Sequence, residues 1–330
     1  MYAYTVNNGG LQYVQKPEPT PEPGQVSITV HTAGLGLIDA LWTIGAMPSN
    51  PDFVPGLEVS GTVRALGEGV NHLAEGQLVA AILPAAGGFA EVVCTPATLV
   101  APIPQKLDHD LAAVVPINTV TAHLALTTVA RLAEGESLLV NAGVGGLGSQ
   151  FQQVARALGA GPCDAVVGTP EKQALALKSG YRTAYLRSEV RDIPDGTYDI
   201  VVDPVGGDAT TQGFRVLRSG GRLVRVGNAS QAPDVEIGTL ALWLENKTAA
   251  GFNVGAWLAE HPADGTDSLA WSLEAVARGD VRVDLTAVGG HEQLPQFLEA
   301  LERGEAGCSF RVAIAQKLLA CRTLSTSIAS

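Results

Sequence analysis

The stretch SLLVNAGVGGLGSQFQQVARALGA, residues 137–160, decides how this chain folds. It begins with apolar, β-favouring residues, continues through a glycine-rich segment and ends with apolar residues at helical spacing. Gly143, Gly145 and Gly148 complete the spacing GxGxxG between the predicted strand and the predicted helix. At this spacing the glycines permit a tight turn, a close backbone approach to a pyrophosphate and close packing of helix on strand. We therefore predict a dinucleotide site formed by Gly143, Gly145, Gly146, Leu147 and Gly148.

The sequence on the two sides of this stretch follows different patterns. Residues 1–116 contain short β-type runs, such as QVSITV and SGTVRAL, separated by Pro and Gly, which predicts a partly barrel-shaped β domain. From about Thr121 strands alternate with helices, which predicts an α/β domain with a doubly wound parallel sheet. After about residue 260 two helices lead to a strand near SFRVAI, which we expect to rejoin the first domain. The tail, residues 316–330, has no place in this plan.

Composition narrows the class of protein and its partners. A chain of 330 residues exceeds the size of a single hydrophobic core, so we expect two domains. The content of 46% hydrophobic and 16% charged residues is typical of a folded globular protein. A net charge of -12 argues against nucleic acid and anionic membranes as partners, because both repel an acidic surface. Because no basic leader and no run of about 18 apolar residues is evident, we expect a cytoplasmic protein.

Neither the cysteines nor the histidines indicate a metal site. Cys94, Cys163, Cys308 and Cys321 are far apart and form no CxxC pair, so we expect free thiols. His31, His72, His109, His261 and His291 share no metal-ligand spacing, so we expect them to be surface or structural residues.

The cofactor type is read where the second strand of the α/β domain ends. An acidic residue there would bind the ribose 2′-hydroxyl of NAD, but this strand, DAVVGT, ends in Thr169. Lys172, and Arg187 after the next strand, can each offer a cation to a 2′-phosphate, so we expect NADPH. Two alternatives remain, in which Lys172 is a solvated residue at a helix start or Glu171 is an NAD ribose ligand about two residues late.

Several segments together resemble the metal-free quinone oxidoreductase and enoyl reductase branch of the medium-chain dehydrogenases and reductases. These segments are AGLGLIDALWTIG, PGLEVSGTVRALGEGV, GGFAEVV, VVDPVGGD, LRSGGRLVRVG and GFNVG, and the resemblance covers about residues 1–314. It implies a GroES-like β domain, residues 1–119 and 261–330, around an NADPH-binding Rossmann domain, residues 120–260. It also implies an active site in the cleft between these domains.

The resemblance allows a prediction of whether this chain has the ligands for zinc. In the zinc-containing alcohol dehydrogenases of this family a Cys, a His and a Cys bind the catalytic metal. This sequence has Gly36, Leu57 and Ile117 at those places, and none of these can ligate zinc. Asp39 and Glu58 are retained beside them, and the four-Cys run that binds a structural zinc is missing. The resemblance therefore implies a metal-free member.

The expected chemistry follows from the missing metal ligands. Without a Lewis acid the alkoxide that forms from an isolated ketone lacks its usual stabilisation. Hydride addition to a conjugated C=C bond or a quinone spreads the charge instead, so we expect an NADPH-dependent reductase of an apolar enone, enoyl thioester or quinone. Two alternatives stay open, a metal-free carbonyl or imine reductase of a biosynthetic pathway and a cofactor-binding protein without turnover.

The proton donor is not evident from the sequence. Related enoyl reductases carry a Tyr where this chain has Met47, and many metal-free members carry an Asn where it has Gly36. Candidates for handling a proton are Thr121, His123 and Asn118. Candidates for lining a substrate pocket are Gly36, Leu41, Trp42, Met47, Phe53 and Trp257, each of which has ordinary packing as its alternative.

The remaining cofactor candidates lie near predicted strand ends. The backbone of these residues should border the nicotinamide ribose, with turn geometry alone as the alternative for the two glycines: Asp203, Val205, Gly206, Val226, Gly227 and Asn228. By resemblance, Phe252 and Asn253 should flank the nicotinamide amide. Thr121 should open the first helix of the α/β domain and, by resemblance, approach the nicotinamide, with a helix cap or first-turn residue as its alternative.

Resemblance also implies a homodimer in which the edge strands of two Rossmann sheets pair. The edge would be TAAGFNV, residues 248–254, with an interface around Ala249–Asn253 and Trp243 as an anchor. The alternative is an edge that the preceding segment covers.

Overall fold

The computed structural model describes residues 1–7, 10–304 and 309–314, so Cys308, Cys321 and the tail at 316–330 lie outside the described residues. Two compact units make up the chain. Unit 1 comprises Met1–Pro116 and the described residues from Leu285 onward, and unit 2 comprises Ile117–Asp284. None of the helices in the described ranges has both the length and the apolar character that crossing a membrane requires.

The elements alternate as the sequence pattern predicts. The strands are β1 Tyr2–Asn7, β2 Gly10–Gln15, β3 Gln25–Leu35, β4 Glu58–Leu66, β5 Leu78–Ile82, β6 Val92–Pro96, β7 Val100–Pro102, β8 Leu138–Asn141, β9 Cys163–Val167, β10 Ala184–Leu186, β11 Tyr198–Asp203, β12 Leu217–Arg225, β13 Thr248–Gly251, β14 Leu285–Gly290 and β15 Ser309–Ala313. The helices are α1 Leu37–Thr43, α2 Asn118–Leu124, α3 Gly146–Ala157, α4 Pro170–Lys178, α5 Asp208–Arg215, α6 Thr239–Glu245, α7 Val254–Glu260, α8 Pro262–Arg278 and α9 Leu294–Glu302.

Unit 1 is built on the long strand β3. Through Gln25–Thr29 this strand pairs with β6, and through Thr32–Leu35 it pairs with β15, while β4 lies on its other side. The sheet order is β14-β15-β3-β4-β5-β7, with β6 off this path. Because β3 changes neighbours half-way along, the sheet curls towards a barrel, and Val26, Ile28 and Val30 are fully buried in the core.

Unit 2 is the predicted doubly wound parallel sheet, which is confirmed. Its order is β10-β9-β8-β11-β12-β13, and every neighbouring pair is parallel. The chain runs outward from β8 to β10 and then outward from β11 to β13, so right-handed crossovers put helices on opposite faces. Strands β8 and β11 are buried along their whole length, as central strands of such a sheet should be.

Three boundaries differ from those expected. Helix α8, expected in the first domain, packs against α2 and α7, so unit 2 ends at 284 instead of 260. The segment TTQGFRVLRSGG, residues 210–221, is predicted from its sequence to be one helix, but α5 ends at Arg215 and LRSGG already belongs to β12. The edge strand predicted at 248–254 ends at Gly251, because Asn253 begins a new helix as its N-cap.

Candidate functional site

The predicted cofactor residues of unit 2, apart from Thr121, lie at or just after the carboxyl ends of its strands. The glycine turn follows β8, Thr169 follows β9 and Arg187 follows β10. Asp203 ends β11, Val226 follows β12 and Phe252 follows β13. Since these strands are parallel, the residues share one edge of the sheet, and the chain order reverses between β8 and β11. This is the place where open α/β sheets bind their ligands.

The turn between β8 and α3 has the geometry of an anion site. Helix α3 is 12 residues long and begins at Gly146, with Gly145 as an N-cap to which no described side chain contributes a hydrogen bond. The first bond within the helix runs from the N–H of Ser149 to Gly145, at 2.9 Å. The N–H groups of residues 146–148 therefore precede the helical ladder, where an anion can accept from them.

Glycine is required in this turn for steric reasons. A Cβ on Gly148 would overlap the carbonyl oxygen of Ala142, which itself has a φ of 51°. A Cβ on Gly143 would lie 2.6 Å from the Cβ of Ala165 on β9. Any side chain at these positions would push the helix away from the sheet, so the turn keeps the close approach that a pyrophosphate needs.

Tyr181 supports the turn from behind. Its hydroxyl oxygen lies 2.9 Å from the carbonyl oxygens of both Gly143 and Gly148, and its proton is shared between them. The ring is 4% exposed, and burial raises the pKa of Tyr181 well above its usual range. The residue therefore stays a neutral donor, and it fixes the distance across the glycine turn.

The side chain of Arg187, the residue after β10, lies next to Gly168, the residue after β9. A Cβ on Gly168 would lie 3.5 Å from Nη2 and 3.8 Å from Nε of Arg187, so the guanidinium lies over this glycine. The Arg187 side chain is exposed, and within the described residues its guanidinium makes no hydrogen bond or ion pair.

Thr169 caps the neighbouring helix. Its hydroxyl oxygen accepts a hydrogen bond from the backbone N–H of Lys172 at 3.3 Å, and this places Lys172 in the first turn of α4, one strand away from Arg187. Hydrogen bonds from its own N–H and from the Thr169 hydroxyl lower the pKa of Glu171. Glu171 is thereby held at the start of α4 as a helix-capping carboxylate.

Asp203 is satisfied inside its own turn. Its Oδ1 accepts hydrogen bonds from the N–H groups of Val205 at 2.9 Å and Gly206 at 3.1 Å. Its Oδ2 accepts from the Thr210 hydroxyl at 2.5 Å, and Asn141 donates to Oδ1 at 3.3 Å. The carboxylate is fully buried, so Asp203 shapes the backbone of this edge and offers no free oxygen to a ligand.

The residues that follow β13 also make contacts within unit 2. The Asn253 side chain accepts from the N–H of Ala256 at 3.0 Å and caps α7. Phe252 is buried, with its ring centroid 5.9 Å from that of Trp257. Trp257 donates through Nε1 to Asp264 at 2.8 Å, so this pocket candidate packs within unit 2.

The proton candidates lie on α2. Thr121 is buried in the middle of this helix and does not open it, because α2 begins at Asn118. The His123 ring stacks on Trp271 with centroids 4.1 Å apart, and its Nδ1 lies 2.8 Å from the Ser268 hydroxyl oxygen. Burial lowers the pKa of His123 to about 4, which keeps the imidazole neutral at pH 7.

Comparison with known proteins places this arrangement in a family. A model of the alcohol dehydrogenase GroES-like domain matches residues 22–105, and a model of the zinc-binding dehydrogenase domain matches residues 146–271. The quinone oxidoreductase-like protein 2 homolog of Nematostella vectensis is 30% identical over 271 residues, which cover 78% of this chain and 73% of that protein. The chain belongs to the quinone oxidoreductase-like medium-chain dehydrogenases and reductases.

Other members agree with this assignment. The human synaptic vesicle membrane protein VAT-1 homolog-like is 34% identical over 267 residues, or 74% of this chain, and the match spans only 63% of that protein's length. The quinone oxidoreductase of Thermus thermophilus, solved also in complex with NADPH, superposes with a TM-score of 0.80 at 32% identity, covering 95% of this chain and 100% of that one. The resemblance and the GroES-like plus Rossmann fold class predicted from the sequence are confirmed.

The zinc-ligand positions of this medium-chain reductase carry Gly36, Leu57 and Ile117. Gly36 and Leu57 belong to unit 1, and Ile117 opens unit 2. A Cβ on Gly36 would make ordinary contacts, with 3.7 Å to Oδ2 of Asp39 as the shortest. In the described part of the chain no three His, Cys, Asp or Glu side chains converge as metal ligands would.

Asp39 joins the two backbone segments that carry these positions in unit 1. Its Oδ2 accepts from the N–H of Gly36 and its Oδ1 from the N–H of Gly56, both at 2.9 Å. The side chain is 1% exposed. Burial raises the pKa of Asp39 to about 6, although both N–H groups act in the opposite direction. This aspartate therefore has a structural role that needs no metal.

Four of the pocket candidates gather in unit 1, on α1 and the segment that follows it. The rings of Trp42 and Phe53 meet edge to face with centroids 4.8 Å apart. The N–H of Met47 donates to the carbonyl of Leu41 at 3.3 Å, which folds the chain back over α1. All four side chains are half-buried, as residues that line a pocket or pack at its border would be.

Sequence reasoning missed two contributors to the site. Tyr181 belongs to no motif, and only the tertiary contact with the glycine turn shows its role. Arg225, the last residue of β12, contacts both Thr210 and Asn228. A charged residue directly after the buried pair Leu223 and Val224 was the signal that could have singled it out.

Proposed function

We propose that this protein is an NADPH-dependent reductase of an activated C=C bond or a quinone that works without a metal. One observation carries the proposal, namely that an uncapped helix N-terminus and an exposed guanidinium, unpaired among the described residues, lie on the same edge of one parallel sheet. The first suits a pyrophosphate and the second suits a 2′-phosphate. Membership of the quinone oxidoreductase-like family supports the reaction class.

The residues of unit 2 fit NADPH better than NADH. The N–H groups of residues 146–148 would bind the pyrophosphate, and Arg187 with Lys172 would bind the 2′-phosphate. The acidic side chain next to Lys172 in the sequence, Glu171, already accepts from Thr169 and its own N–H. Glu171 also lies about two residues after the strand end where an NAD site carries its ribose-binding carboxylate.

The acceptor is proposed from the groups that this chain lacks. When bound, NADPH supplies a hydride from its nicotinamide ring. Met47, at the place where related enoyl reductases carry a Tyr, cannot donate a proton to an alkoxide as it forms. Enones, enoyl thioesters and quinones fit this site because their reduced anions are delocalised and can take a proton from water. The apolar side chains of Leu41, Trp42 and Phe53 suit such flat acceptors.

The proposal is tested by following NADPH oxidation with quinones, enones and enoyl thioesters, in parallel with simple ketones and imines. We expect turnover with at least one conjugated acceptor and the same rate after chelation, with substoichiometric zinc by metal analysis. Turnover confined to ketones or imines would favour the alternative carbonyl or imine reductase. Stoichiometric zinc whose removal abolishes activity would contradict the metal-free reaction.

A protein that binds the cofactor without turnover is the second candidate. Gly36 and Met47 favour it, because they stand where many relatives carry Asn and Tyr. Tight NADPH binding without oxidation by any acceptor of the panel would support this candidate against the first.

We also propose a homodimer formed at the free edge of the Rossmann sheet. Strand β13 pairs with β12 on one side and is the last strand of its sheet. Helix α6, which precedes β13 in the chain, exposes large apolar side chains, with Trp243 73% and Leu240 61% exposed. Pairing of two β13 strands would satisfy the open backbone groups and bury these side chains.

A further inference from the structure

Arg225 contacts three parts of the site edge at once. It ends β12, and its side chain is 24% exposed. Nε donates to the carbonyl of Gly227 at 2.6 Å, Nη1 to the Thr210 hydroxyl at 2.9 Å and Nη2 to Oδ1 of Asn228 at 2.8 Å. The planar guanidinium thus has a hydrogen bond on each of its three nitrogens, a geometry that lysine cannot reproduce.

Through the Thr210 hydroxyl, Arg225 is connected to the buried carboxylate of Asp203. Because the Thr210 hydroxyl accepts from Arg225, its single proton is free to go to Oδ2 of Asp203, at 2.5 Å. Nε of Arg225 is 3.8 Å from the same carboxylate. Asp203 in turn accepts from Asn141, the residue before the turn that opens at Ala142. One polar network therefore runs from the glycine turn to the loop after β12.

The turn after β11 leaves room for this arginine. A Cβ on Gly206 would overlap both Nη2 of Arg225 and Oδ1 of Asn228, and Gly206 has a φ of 86°. Two further bonds tie the loop after β12 to this turn, since Ser230 donates to the carbonyl of Val205 through its N–H at 3.0 Å and its hydroxyl at 2.8 Å. The two loops behave as one hydrogen-bonded piece with Arg225 at its centre.

We propose that Arg225 is the positioning residue for the nicotinamide half of the cofactor site, an inference that rests on the proposed function. A dinucleotide bound across the strand reversal has its adenosine half over β9 and β10 and its nicotinamide half over β11 to β13. The Arg225 network lies wholly in the second half, apart from its contact with Asn141. Its loss should disturb the nicotinamide half and leave the adenosine half intact.

The test compares two ligands by isothermal titration calorimetry. NADPH spans both halves, whereas 2′,5′-ADP contains only the adenosine half with its 2′-phosphate. Arg225→Met should weaken NADPH about ten-fold or more and change the affinity for 2′,5′-ADP less than about two-fold. Arg225→Lys should behave like Arg225→Met, because one ammonium cannot hold Gly227, Thr210 and Asn228 together. Arg278→Met, which removes an exposed arginine paired with Asp280, is the matched control and should bind both ligands normally.

The outcomes separate this inference from the proposed function. Equal weakening of both ligands by Arg225→Met would show a general structural role and overturn the positioning role. Unchanged NADPH affinity, or full rescue by lysine, would overturn it as well. Failure of the unmodified protein to bind NADPH while it binds 2′,5′-ADP would overturn the proposed function, and this inference with it.

Discussion

At the scale of single residues, we predict that two cations select NADPH over NADH. Arg187 lies over Gly168 and Lys172 lies in the first turn of α4, so each brings one cation near the end of β9. We predict that Lys172→Ala and Arg187→Ala each weaken NADPH binding about ten-fold, because each removes a charge-assisted contact with a phosphate. NADH carries no such phosphate, so its affinity should change less than about two-fold. Both dissociation constants can be measured by fluorescence titration.

The control for this prediction is on the same helix. Lys178→Ala removes an exposed lysine from the last turn of α4 and should leave both affinities unchanged. Equal affinity of the unmodified protein for NADPH and NADH would show that the two cations do not select the cofactor.

At Asp39 a buried carboxyl makes stability depend on pH. Its pKa is about 6 in the folded chain against an ordinary value of 3.8. Between these values the folded state keeps a proton that the unfolded state has lost, so this residue lowers stability as pH rises from about 4 to about 6. The loss should reach on the order of 2–3 kcal/mol at neutral pH.

We predict that Asp39→Asn removes this pH dependence at the cost of one hydrogen bond. Asn has one acceptor oxygen for the two N–H groups of Gly36 and Gly56. The variant should therefore be least stable relative to the natural chain near pH 4 and should gain on it as pH rises to 7. Urea unfolding across this range measures the difference, and Glu75→Gln, at an exposed site of the same unit, should run parallel to the natural chain. A constant difference between Asp39→Asn and the natural chain at all pH values would contradict the prediction.

At the scale of elements, the connection between β8 and α3 depends on a residue from beyond α4. Tyr181 holds the carbonyls of Gly143 and Gly148 at 2.9 Å each from a fully buried position. We predict that Tyr181→Phe lowers the free energy of unfolding by about 1–3 kcal/mol, because two buried carbonyls lose their donor. Tyr13→Phe, at a ring that is 41% exposed, should cost far less in the same denaturation experiment. Similar values for the two variants would show that the turn does not depend on Tyr181.

The hydrogen bonds between β12 and β13 show which backbone groups of β13 face away from β12, at the edge of the sheet. The N–H of Phe252 donates to Arg225 of β12 at 2.9 Å, so residues 250 and 252 turn their polar groups towards β12. Residues alternate along a strand, and Ala249 and Gly251 therefore point theirs away from the sheet. Ala250→Pro would remove an N–H that faces β12 within the sheet. Ala249→Pro would remove only an N–H that faces away from β12.

For the whole molecule we predict a dimer that depends on this edge. Light scattering at micromolar concentration should give about twice the chain mass of 34.1 kDa. Ala249→Pro and, independently, Trp243→Asp should shift the mass towards that of one chain without loss of folded structure by circular dichroism. Leu78→Asp, at a 45% exposed leucine of unit 1, is the control and should stay dimeric. A natural protein that is monomeric at all concentrations would rule out the interface.

The sequence by itself determined the parts of this protein that follow from local pattern. The GxGxxG spacing and the alternation of strands and helices are short-range features, and they predicted the glycine turn and the parallel sheet correctly. The residues at the zinc-ligand positions are also read from local sequence, and the metal-free chemistry that they imply stays a prediction. The ends of α5 and β13 were less well predicted, because capping by Asn253 and pairing of LRSGG with its neighbours override local preference.

Only the tertiary structure decided what depends on contacts between distant residues. Helix α8 belongs to unit 2 because of its packing on α2 and α7, which no local pattern encodes. The same holds for Asp203, which the sequence places at a strand end and whose oxygens, in the structure, are taken up by its own turn and by Thr210. Tyr181 and Arg225 act through hydrogen bonds to residues far away in the chain or across a strand, and geometry of that kind exists only once the sheet has formed.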